Sequence, residues 1–574
     1  MKFLLVLLVL VAGVWFTQKG IPWIFKGVLR LAGIRWKSSP LAEKRIRRFK
    51  SIRRGYYSFV IITSLFTTSL FLEVLVNDKP VMIRYGDQVA YPAVRDLTNT
   101  WCFFMEGPLT TFDRSEDFGI PGQGPLDYTE FARLVENPKA AFGPIVEKQK
   151  SEISELEMEI EDVRMEIEEY EADGEEPEEW LVEDLAAAEK QVVQLRDGLK
   201  QLASIEKVFL DGGAGVVWPL YRHGPYKNRL DLPGTAPHDP SLYIPGLTPA
   251  RQSAMLGEQV DMEYGGRLGM RITAGSDSDN QSLLSADTKF YALKPTTDSG
   301  PVEVSGIVIV RKVSEDGFSG EVEILSITPG ETLTAGLELS TRFLETWEAP
   351  LGTSDAGIDV LPLLAYGFRV SVGFSLMVLV AGYIVGILAG AIMGYYGGWT
   401  DILLQRFIEI WGSVPFLFLI MIVASIVDPG FWVLVIFLVI LRSWMAITYQ
   451  IRGEFYREKA RDYVQAAIGS GVSDMTVMMR HILPNSMVPV ISRAPFSFVN
   501  YISSLVSLDF LGFGLPPTDP SWGRLLNQGF QFLTTSPHLV FLPVLAMATT
   551  LFLVVLIGEA VREAFDPKVF SRLR

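Results

Sequence analysis

The sequence predicts an all-α polytopic membrane protein with six core transmembrane helices, interrupted by a large extracytoplasmic α+β insertion. Three observations predict this class. Of the 574 residues, 49% are hydrophobic. Six apolar runs have the length of roughly 20 residues that crosses a bilayer core. Residues 77–369, of mixed composition, separate the first run from the second. The runs lie near 57–76, 370–393, 402–427, 430–449, 488–511 and 539–560.

Basic residues orient these runs, because lysine and arginine accumulate in cytoplasmic loops. The chain before the first run is basic, so alternation places 77–369 outside and 450–487 inside. The inner segment holds five basic residues, whereas the outer loop 512–538 holds only Arg524. This topology is that of a multi-pass membrane protein with a large segment outside the cytoplasm. The basic residues before the first run are Lys44, Arg45, Arg47, Arg48, Lys50, Arg53 and Arg54.

An apolar stretch also opens the chain, from Phe3 to Phe16. It has the length of a signal-peptide core, but no small-x-small cleavage site follows it, so we expect an uncleaved helix and keep a cleaved leader as the alternative. The predicted boundaries are 1–55 for this helix and a basic interfacial segment, 56–77 for the first core helix, 78–365 for the insertion, 366–562 for the transmembrane core and 563–574 for a cytoplasmic tail.

The insertion carries two heptad series joined by a Gly-Pro turn, which predict a coiled-coil hairpin over 145–207. Residues 147–190 hold 19 acidic and 4 basic residues, a difference equal to the net charge of -15 of the whole chain. A solvated surface is the commoner reason for such composition, and a basic partner is the alternative. Alternating β-branched residues between turn signals predict a β subdomain over 286–345.

The same sequence argues against an enzyme. Cys102 is the only cysteine, and the histidines at 223, 238, 481 and 538 are too scattered for a metal site. No GxxxxGK[ST] loop occurs, so we expect no ATP site in this chain. We therefore expect no catalytic residues, no metal and no cofactor.

The inner stretch 463–485 has a soluble-looking pattern, YVQAAIGSGVSDMTVMMRHILPN. Gly471 suits the left-handed residue that closes a helix, and Ser473 suits the N-cap of a second helix that runs to Pro484. Small residues around the turn leave a low surface that another protein could approach. The alternative is that they pack the loop against its own spans.

This stretch resembles the EAA loop of binding-protein-dependent ABC importer permeases, with Gln465 where that motif usually has Glu. The likeness extends to LGTSDAGIDVLPLLAYGFRVSVGFSL, GYYGGWTDILLQRFIEIWGSVP, SLDFLGFGLPP and IGEAVREAFDPK. RRGYYSF and FLEVLVNDKPVMIRY narrow it to dipeptide and oligopeptide permeases, most of all the Yej-type (microcin C/oligopeptide) subgroup. Ile358 departs from the pattern, which usually has Arg before Asp359.

The resemblance implies a type I ABC importer permease fold and a permease subunit that imports oligopeptides or peptide-like solutes. It implies four kinds of partner: a second permease subunit, two ATPase subunits that hydrolyse ATP, a solute-binding protein and the peptide. The alternative is a secondary transporter or a membrane scaffold without ATPase partners. Within the coupling loop, 451–487, the residues assigned to the ATPase contact are Tyr463, Ala466, Ala467, Gly471, Asp474, Leu483 and Pro484.

Two charges fall inside predicted spans, Glu409 and Arg442. Counted along straight helices from the cytoplasmic ends, both lie at a depth of ~10–12 Å. Because a charge within a membrane helix is costly, each is expected to face a partner or a watery path. They are therefore candidates for an intramembrane pair or for the translocation path, with snorkelling of Arg442 as the alternative.

Overall fold

The fold was analysed in a computed structural model. It describes residues 13–20, 40–101, 128–172, 179–229, 232, 236–242, 253–261, 268–274, 284, 289–293, 304–314, 318–327, 332–340, 349–427 and 430–565. The chain divides into two compact units, one of residues 1–70 with 223–574 and one of residues 71–222. The second boundary, between residues 222 and 223, therefore falls inside the predicted insertion 78–365, and the first lies just before it.

Helices account for most of the described chain. They are α1 Pro40–Ser51, α2 Arg53–Ser69, α3 Leu72–Leu75, α4 Pro92–Trp101, α5 Tyr128–Glu136, α6 Pro138–Ala172, α7 Glu179–Leu210, α8 Val360–Tyr396, α9 Gly398–Gly412, α10 Phe416–Ala424, α11 Phe431–Leu438, α12 Met445–Lys459, α13 Asp462–Gly469, α14 Asp474–Thr476, α15 Leu483–Phe510, α16 Trp522–Gln531 and α17 His538–Phe565. π-Helical segments lie at Phe16–Gly20, Val439–Ser443 and Val477–Ile482.

The strands fall into two sheets. They are β1 Met82–Tyr85, β2 Gln88–Ala90, β3 Ala214–Val217, β4 Ser253–Asp261, β5 Leu268–Ala274, β6 Lys289–Leu293, β7 Val304–Val313, β8 Ser319–Ile327 and β9 Glu338–Ser340. The first three form a sheet of order β2-β1-β3, and the others close into a barrel of order β4-β5-β8-β7-β6-β9.

Not all six predicted spans are single straight helices. In the described chain α8 and α17 are each long and apolar enough to cross a membrane. The third and fourth predicted runs are bent pairs, with 68° between α9 and α10 and 46° between Phe431–Ser443 and α12. The first run ends its helix at Ser69, and α15 is more polar because of Arg493, Asn500 and its serines. Six spans therefore stay a prediction, with two to four supported by length and composition.

The contact between α8 and α12 is made through glycine. A Cβ added to Gly386 would lie 2.6 Å from the carbonyl oxygen of Trp444. A Cβ at Gly390 would lie 2.5 Å from that of Thr448. Small residues four apart line one helix face and let two backbones approach closely, as they do in many membrane helix pairs. The glycines of this stripe are Gly382, Gly386, Gly390 and Gly394.

The turn from α15 into α16 is built around one carboxylate. Asp509 is buried, and its side chain accepts hydrogen bonds from the backbone N–H of Leu515 at 2.8 Å and from the Ser521 hydroxyl. Arg524 donates to the carbonyls of Leu515 and Pro516 at 2.6 and 2.7 Å. These bonds satisfy backbone groups that the irregular loop SLDFLGFGLPP would otherwise leave unpaired.

The barrel corrects the extent of the predicted β subdomain. We predicted strands over 286–345, but the first two strands of the barrel, β4 and β5, lie before that range. Both contribute alternate residues to the barrel interior, as a strand with one buried face does. Glycines and a register shift within β4 interrupt the alternation. The sequence pattern therefore did not predict these two strands. Their interior residues are Ala254, Leu256, Met270 and Ile272.

In the smaller unit α6 and α7 pack side by side through an apolar seam that includes Ile153, Ile160 and Val192. Two ion pairs cross the seam, Arg164–Glu189 and Arg196–Glu157. Their side chains are largely exposed, so they contribute little stability. The two helices match the range of the predicted hairpin, while the coiled-coil packing stays a prediction.

The base of the two helices is a separate aromatic cluster. Phe142 of α6 and Phe209 of α7 have ring centroids 5.5 Å apart, and both pack with Ile83 of β1 and Phe131 of α5. The start of α6 and the end of α7 therefore lie together beside the small sheet. Their outer parts do not contribute to this cluster.

The glycine stripe predicts opposite effects for two matched substitutions in α8. Gly390→Ala should lower stability by about 1–3 kcal/mol, because the new methyl group meets backbone rather than a movable side chain. Gly373→Ala should be neutral or stabilising by up to about 1 kcal/mol, because nothing lies within 4 Å of its Cβ position. Thermal unfolding of the detergent-solubilised protein measures both. Equal midpoints for the two variants would contradict the stripe.

The aromatic base predicts that the outer hairpin can be removed. Replacing residues 149–198 with a short Gly-Ser linker should leave β1 and β3 protected, because Phe142 and Phe209 remain, as do Leu202 and Ile205 that pack against them. Hydrogen exchange of the two strands in the full-length protein is the measurement. The same deletion with Phe209→Ala should lose that protection, since such a truncation costs about 3–5 kcal/mol. Loss of protection in the simple deletion would show that the hairpin stabilises its own base.

Candidate functional site

The loop between α12 and α15 begins with α13, which ends in a Schellman motif. The N–H of Val472 donates to the carbonyl of Ala467 at 3.2 Å, and the N–H of Gly471 donates to that of Ile468 at 3.0 Å. Gly471 has φ of 75°, a left-handed conformation that costs glycine little. The predicted left-handed closure at Gly471 is confirmed.

The second half of the loop differs from the predicted helix in two respects. Ser473 stands at the N-cap of α14, but its hydroxyl contacts the Thr476 hydroxyl at 2.8 Å and caps no backbone N–H. The helix also does not end at Pro484, because α14 continues through the π-helical segment into α15. Proline is tolerated there since it lies in the first turn of α15, and the wider π turn precedes it.

The loop has an apolar underside and an open outer face. Val464, Val477 and Ile482 are fully buried and pack with residues of α8 and α12. The outer face is exposed at Ala466, Ser470, Gly471 and Asp474 and carries two methionines, Met475 and Met479, which are 66% and 48% exposed. A surface of small residues and flexible methionines suits close approach by another protein.

Hydrogen bonds from Tyr463 fix the start of the loop. Its hydroxyl donates to Glu458 Oε2 at 2.8 Å and accepts from Asn485 Nδ2 at 2.9 Å, which ties α12, α13 and α15 together. Burial raises the pKa of the Tyr463 hydroxyl, and the bond to the Glu458 carboxylate raises it further. The hydroxyl therefore remains protonated and continues to donate.

A second bond attaches the loop to α8. The Tyr395 hydroxyl donates to Asp474 Oδ1 at 2.6 Å, and Lys459 Nζ lies 4.8 Å from the Tyr395 ring centroid. The Lys459 ammonium also donates to the Tyr395 carbonyl. The end of α8, the end of α12 and the turn of the loop are therefore joined at one residue.

An ion pair with a buried carboxylate fixes α9 to α12. Arg452 donates two hydrogen bonds to the Asp401 carboxylate, at 2.5 and 2.6 Å, and Tyr456 adds a third at 2.7 Å. Asp401 is only 6% exposed. Two-pronged contact of this kind is among the stronger side-chain interactions and sets geometry as well as energy. The helix that supports the loop is thus held on two sides.

The seven residues predicted for the ATPase contact lie on this one loop, but their surroundings differ. Ala466, Gly471, Asp474 and Pro484 are exposed, and Ala467 and Leu483 are half-buried. Tyr463 presents its ring outward while its hydroxyl is bound inside the chain. Four residues that the sequence reasoning missed support or extend the site: Tyr395, Asp401, Met475 and Met479.

The two charges predicted to lie within the membrane are not brought together. Glu409 is exposed on α9 and accepts from Arg406 NH1 at 2.6 Å and from Gln405 Nε2 at 3.0 Å. Arg442 instead lies 5.5 Å from the Phe416 ring centroid and lines a cavity of about 550 Å³. The predicted pairing assumed straight helices, whereas both charges lie in bent pairs, so equal depth did not bring them into contact.

A comparison with known protein families matches residues 386–571 to the family described as binding-protein-dependent transport system inner membrane component. The chain is also 34% identical over 221 residues to the dipeptide transport system permease protein DppC of Haemophilus influenzae, a match that covers 74% of that protein and 38% of this one. This chain belongs to that permease family.

Two further permeases of the family are more similar in sequence. The peptidoglycan transport system permease protein YejE of Agrobacterium fabrum is 47% identical over 218 residues, and the inner membrane ABC transporter permease protein YejE of Escherichia coli is 48% identical over 217. Each match covers 38% of this chain, and 57% and 63% of the two relatives, less than two thirds of their length. The resemblance to Yej-type permeases found in the sequence is confirmed.

The bond between Tyr395 and Asp474 predicts a local effect on the loop. Tyr395→Phe should remove about 1 kcal/mol of local stability, since that is the usual net worth of one hydrogen bond. Amide hydrogen exchange over 472–482 should then become several-fold faster. Tyr396→Phe is the matched control, because the neighbouring ring is exposed and contacts Tyr395 only edge-on. Equal exchange in the two variants would contradict the anchoring role.

Proposed function

We propose that this chain is a permease subunit of an ATP-driven importer of oligopeptides or peptide-like solutes in the bacterial inner membrane. Membership of the permease family supports the proposal. The names of the relatives support the substrate class, since one is a dipeptide permease and another a peptidoglycan permease. The chain would gate a path across the membrane rather than catalyse a reaction.

The proposed assembly has four kinds of partner. A second permease subunit would complete the transmembrane path, two ATPase subunits would bind and hydrolyse ATP, and an extracytoplasmic solute-binding protein would deliver the peptide. In the proposed topology residues 77–369 lie outside, so the barrel and the α6–α7 pair would be available to that binding protein. The loop from α13 to Pro484 lies inside, where ATPases would be.

The observation that carries the proposal is the construction of this loop. Its outer face is small and exposed, while its underside is buried against α8 and α12. Tyr395 and Tyr463 connect it to α8 and α12, and the Asp401–Arg452 pair joins α12 in turn to α9. A force applied to the outer face would therefore move those helices rather than deform the loop. This is the property that a coupling helix requires.

Such coupling is an exchange of free energy between two sites. Closure of the ATPases would favour one arrangement of the helices. The solute-loaded binding protein would act on the same equilibrium from the outer side of the membrane. Because both bias the same equilibrium, the effect of ATP on receptor binding must equal the effect of the receptor on ATP binding. The spans need only two packed arrangements for this to occur.

The direct test is association and transport. Affinity purification of the tagged chain should recover two ATPase subunits and a second permease. The complex in proteoliposomes should take up peptide only with ATP and the binding protein present. A chain that is recovered alone, and that moves solute along an ion gradient, would be a secondary transporter instead.

Two glycines with the same backbone give a sharp test of the coupling loop. Gly471 and Gly512 have φ of 75° and 81°, and neither would have an atom of the chain within 4 Å of an added Cβ. Valine at either position should cost a similar strain of about 1–2 kcal/mol. Only Gly471→Val should uncouple ATP hydrolysis from uptake, because only residue 471 lies on the proposed docking face.

Asparagine separates strain from obstruction at that position, because it tolerates the left-handed conformation. Gly471→Asn should restore stability but still weaken ATPase association, whereas Gly512→Asn should leave association unchanged. ATPase association and ATP-dependent uptake are measured for all four variants. Full uptake and association in both variants at residue 471 would remove this loop from the proposed contact.

A further inference from the structure

A cavity of about 550 Å³ opens within the helical bundle of the larger unit. It lies between the α11–α12 segment, α15 and the first turn of α10. Its volume falls within the range of about 300–1,000 Å³ found for small-molecule sites. The polar and charged side chains that line it include Arg442, Arg493, Ser497, Asn500, Tyr501 and Ser504.

The charged side chains that line the cavity are positive. Arg442 and Arg493 reach it from different helices, and the described residues that line it include no aspartate or glutamate. The guanidinium of Arg442 lies over the aromatic ring of Phe416, 5.5 Å from its centroid. Two guanidinium groups within apolar segments are costly unless an anion or water meets them, so such residues mark solute pathways in membrane proteins.

The position of Arg442 is fixed by a local irregularity. The residue lies in the π-helical segment Val439–Ser443, and such segments occur often at functional sites. The indole N–H groups of Trp411 and Trp444 both donate to the carbonyl of Ile440, at 3.1 and 2.8 Å. The Tyr501 hydroxyl donates to the carbonyl of Ser443 at 3.3 Å. The wide turn is thus held by three side chains, and Arg442 lies between the carbonyls they hold.

The far wall is organised around α15. The Tyr383 hydroxyl contacts the Ser497 hydroxyl at 3.0 Å, one turn from Arg493 on the same helix. Pro489 and Pro495 interrupt the backbone hydrogen bonds of α15 on either side of Arg493. This wall therefore offers hydroxyl groups and one cation.

We propose that this cavity binds the carboxylate groups of the transported solute, with Arg442 and Arg493 as the cationic contacts. The inference rests on the proposed importer function and narrows its substrate class to peptides that carry free carboxylates. Guanidinium groups suit this ligand because their N–H donors match the two oxygens of a carboxylate. The hydroxyl and amide groups of the walls supply neutral hydrogen bonds to the peptide backbone.

The alternative is that an acidic side chain of the partner permease neutralises the arginines. That arrangement would make them part of subunit assembly, and their loss would affect every solute equally. Recognition of a carboxylate affects only solutes that carry one. A pair of probes that differ in carboxylates therefore separates the two possibilities.

The experiment uses the complete importer with its binding protein in proteoliposomes, and two radiolabelled probes, Ala-Glu-Ala and Ala-Gln-Ala amide. Uptake of each probe is expressed relative to the wild-type complex, so that selectivity of the binding protein cancels. Arg442→Gln with Arg493→Gln should reduce uptake of Ala-Glu-Ala by tenfold or more and change uptake of the amide by less than twofold. The double Lys variant, which keeps both charges, should recover part of the loss.

Arg47→Gln is the control for charge removal, because Arg47 is exposed on α1, outside the cavity, the barrel and the coupling loop. It should leave the uptake of both probes unchanged. An equal loss of both probes with a reduced amount of complex would assign the arginines to subunit pairing and overturn the proposal. Unchanged uptake of both probes in the double Gln variant would also overturn it.

A binding measurement keeps this inference separate from the proposed function. Benzoylphenylalanine at Asn500, which lines the cavity, should photo-crosslink Ala-Glu-Ala in preference to the amide in the assembled complex. The double Gln variant should lose that preference. Equal crosslinking of both probes would overturn carboxylate recognition even when uptake is normal. Selective crosslinking without ATP-dependent uptake would overturn the proposed importer function but would still support a carboxylate site in this cavity.

Discussion

The close contact between α8 and α12 is the constraint on which the rest of the larger unit depends. Glycine at four successive turns of α8 lets the two backbones meet without intervening side chains. The same contact fixes the ends of both helices, where Tyr395 and Lys459 hold the loop. It also fixes the start of α12, where the π-helical segment presents Arg442. This one helix contact therefore positions the loop at one end of the α8–α12 pair and Arg442 at the other.

The polar interactions around this contact have different roles. The Asp401–Arg452 pair is nearly buried and joins neighbouring helices, so it restricts relative movement. The ion pairs along α1, α2 and α17, such as Arg54–Glu559 at 3.7 Å, are more exposed and weaker. A bundle with a rigid centre and loosely paired margins can move as blocks. Block movement, rather than local unfolding, is what a two-state gate needs.

The sequence predicted those features that depend on a few neighbouring residues. Apolar runs located most of the helices, because hydropathy is a local property. The left-handed residue at Gly471 followed from glycine after a small-residue helix. The spacing of Gly382, Gly386, Gly390 and Gly394 was also visible, but a single glycine in a helix is ambiguous until its neighbour is known. Arg493 carried a signal as well, as a charge in an apolar run between two prolines.

Features that depend on packing could not be read in this way. The 68° and 46° bends arise where short segments meet neighbouring helices, so the depth of Glu409 and Arg442 could not be counted along straight axes. The continuation of the loop helix through Pro484 depends on a π turn that no residue pattern predicted. The barrel strands β4 and β5 were missed because their alternation is interrupted, and closure became evident only from the strand order.

Closure of the barrel has a consequence for a protein whose solutes are proposed to be peptides. In the part of the chain that the structure describes, each of the strands β4 to β9 is hydrogen-bonded to two neighbours, although β9 pairs with only Ser253–Met255 of β4. Extended chains commonly attach to such open edges by adding a strand. Where its strands are paired on both sides, the barrel leaves no row of backbone groups to which a passing peptide or a second barrel could add a strand. Along these stretches recognition uses side chains and loop shape instead.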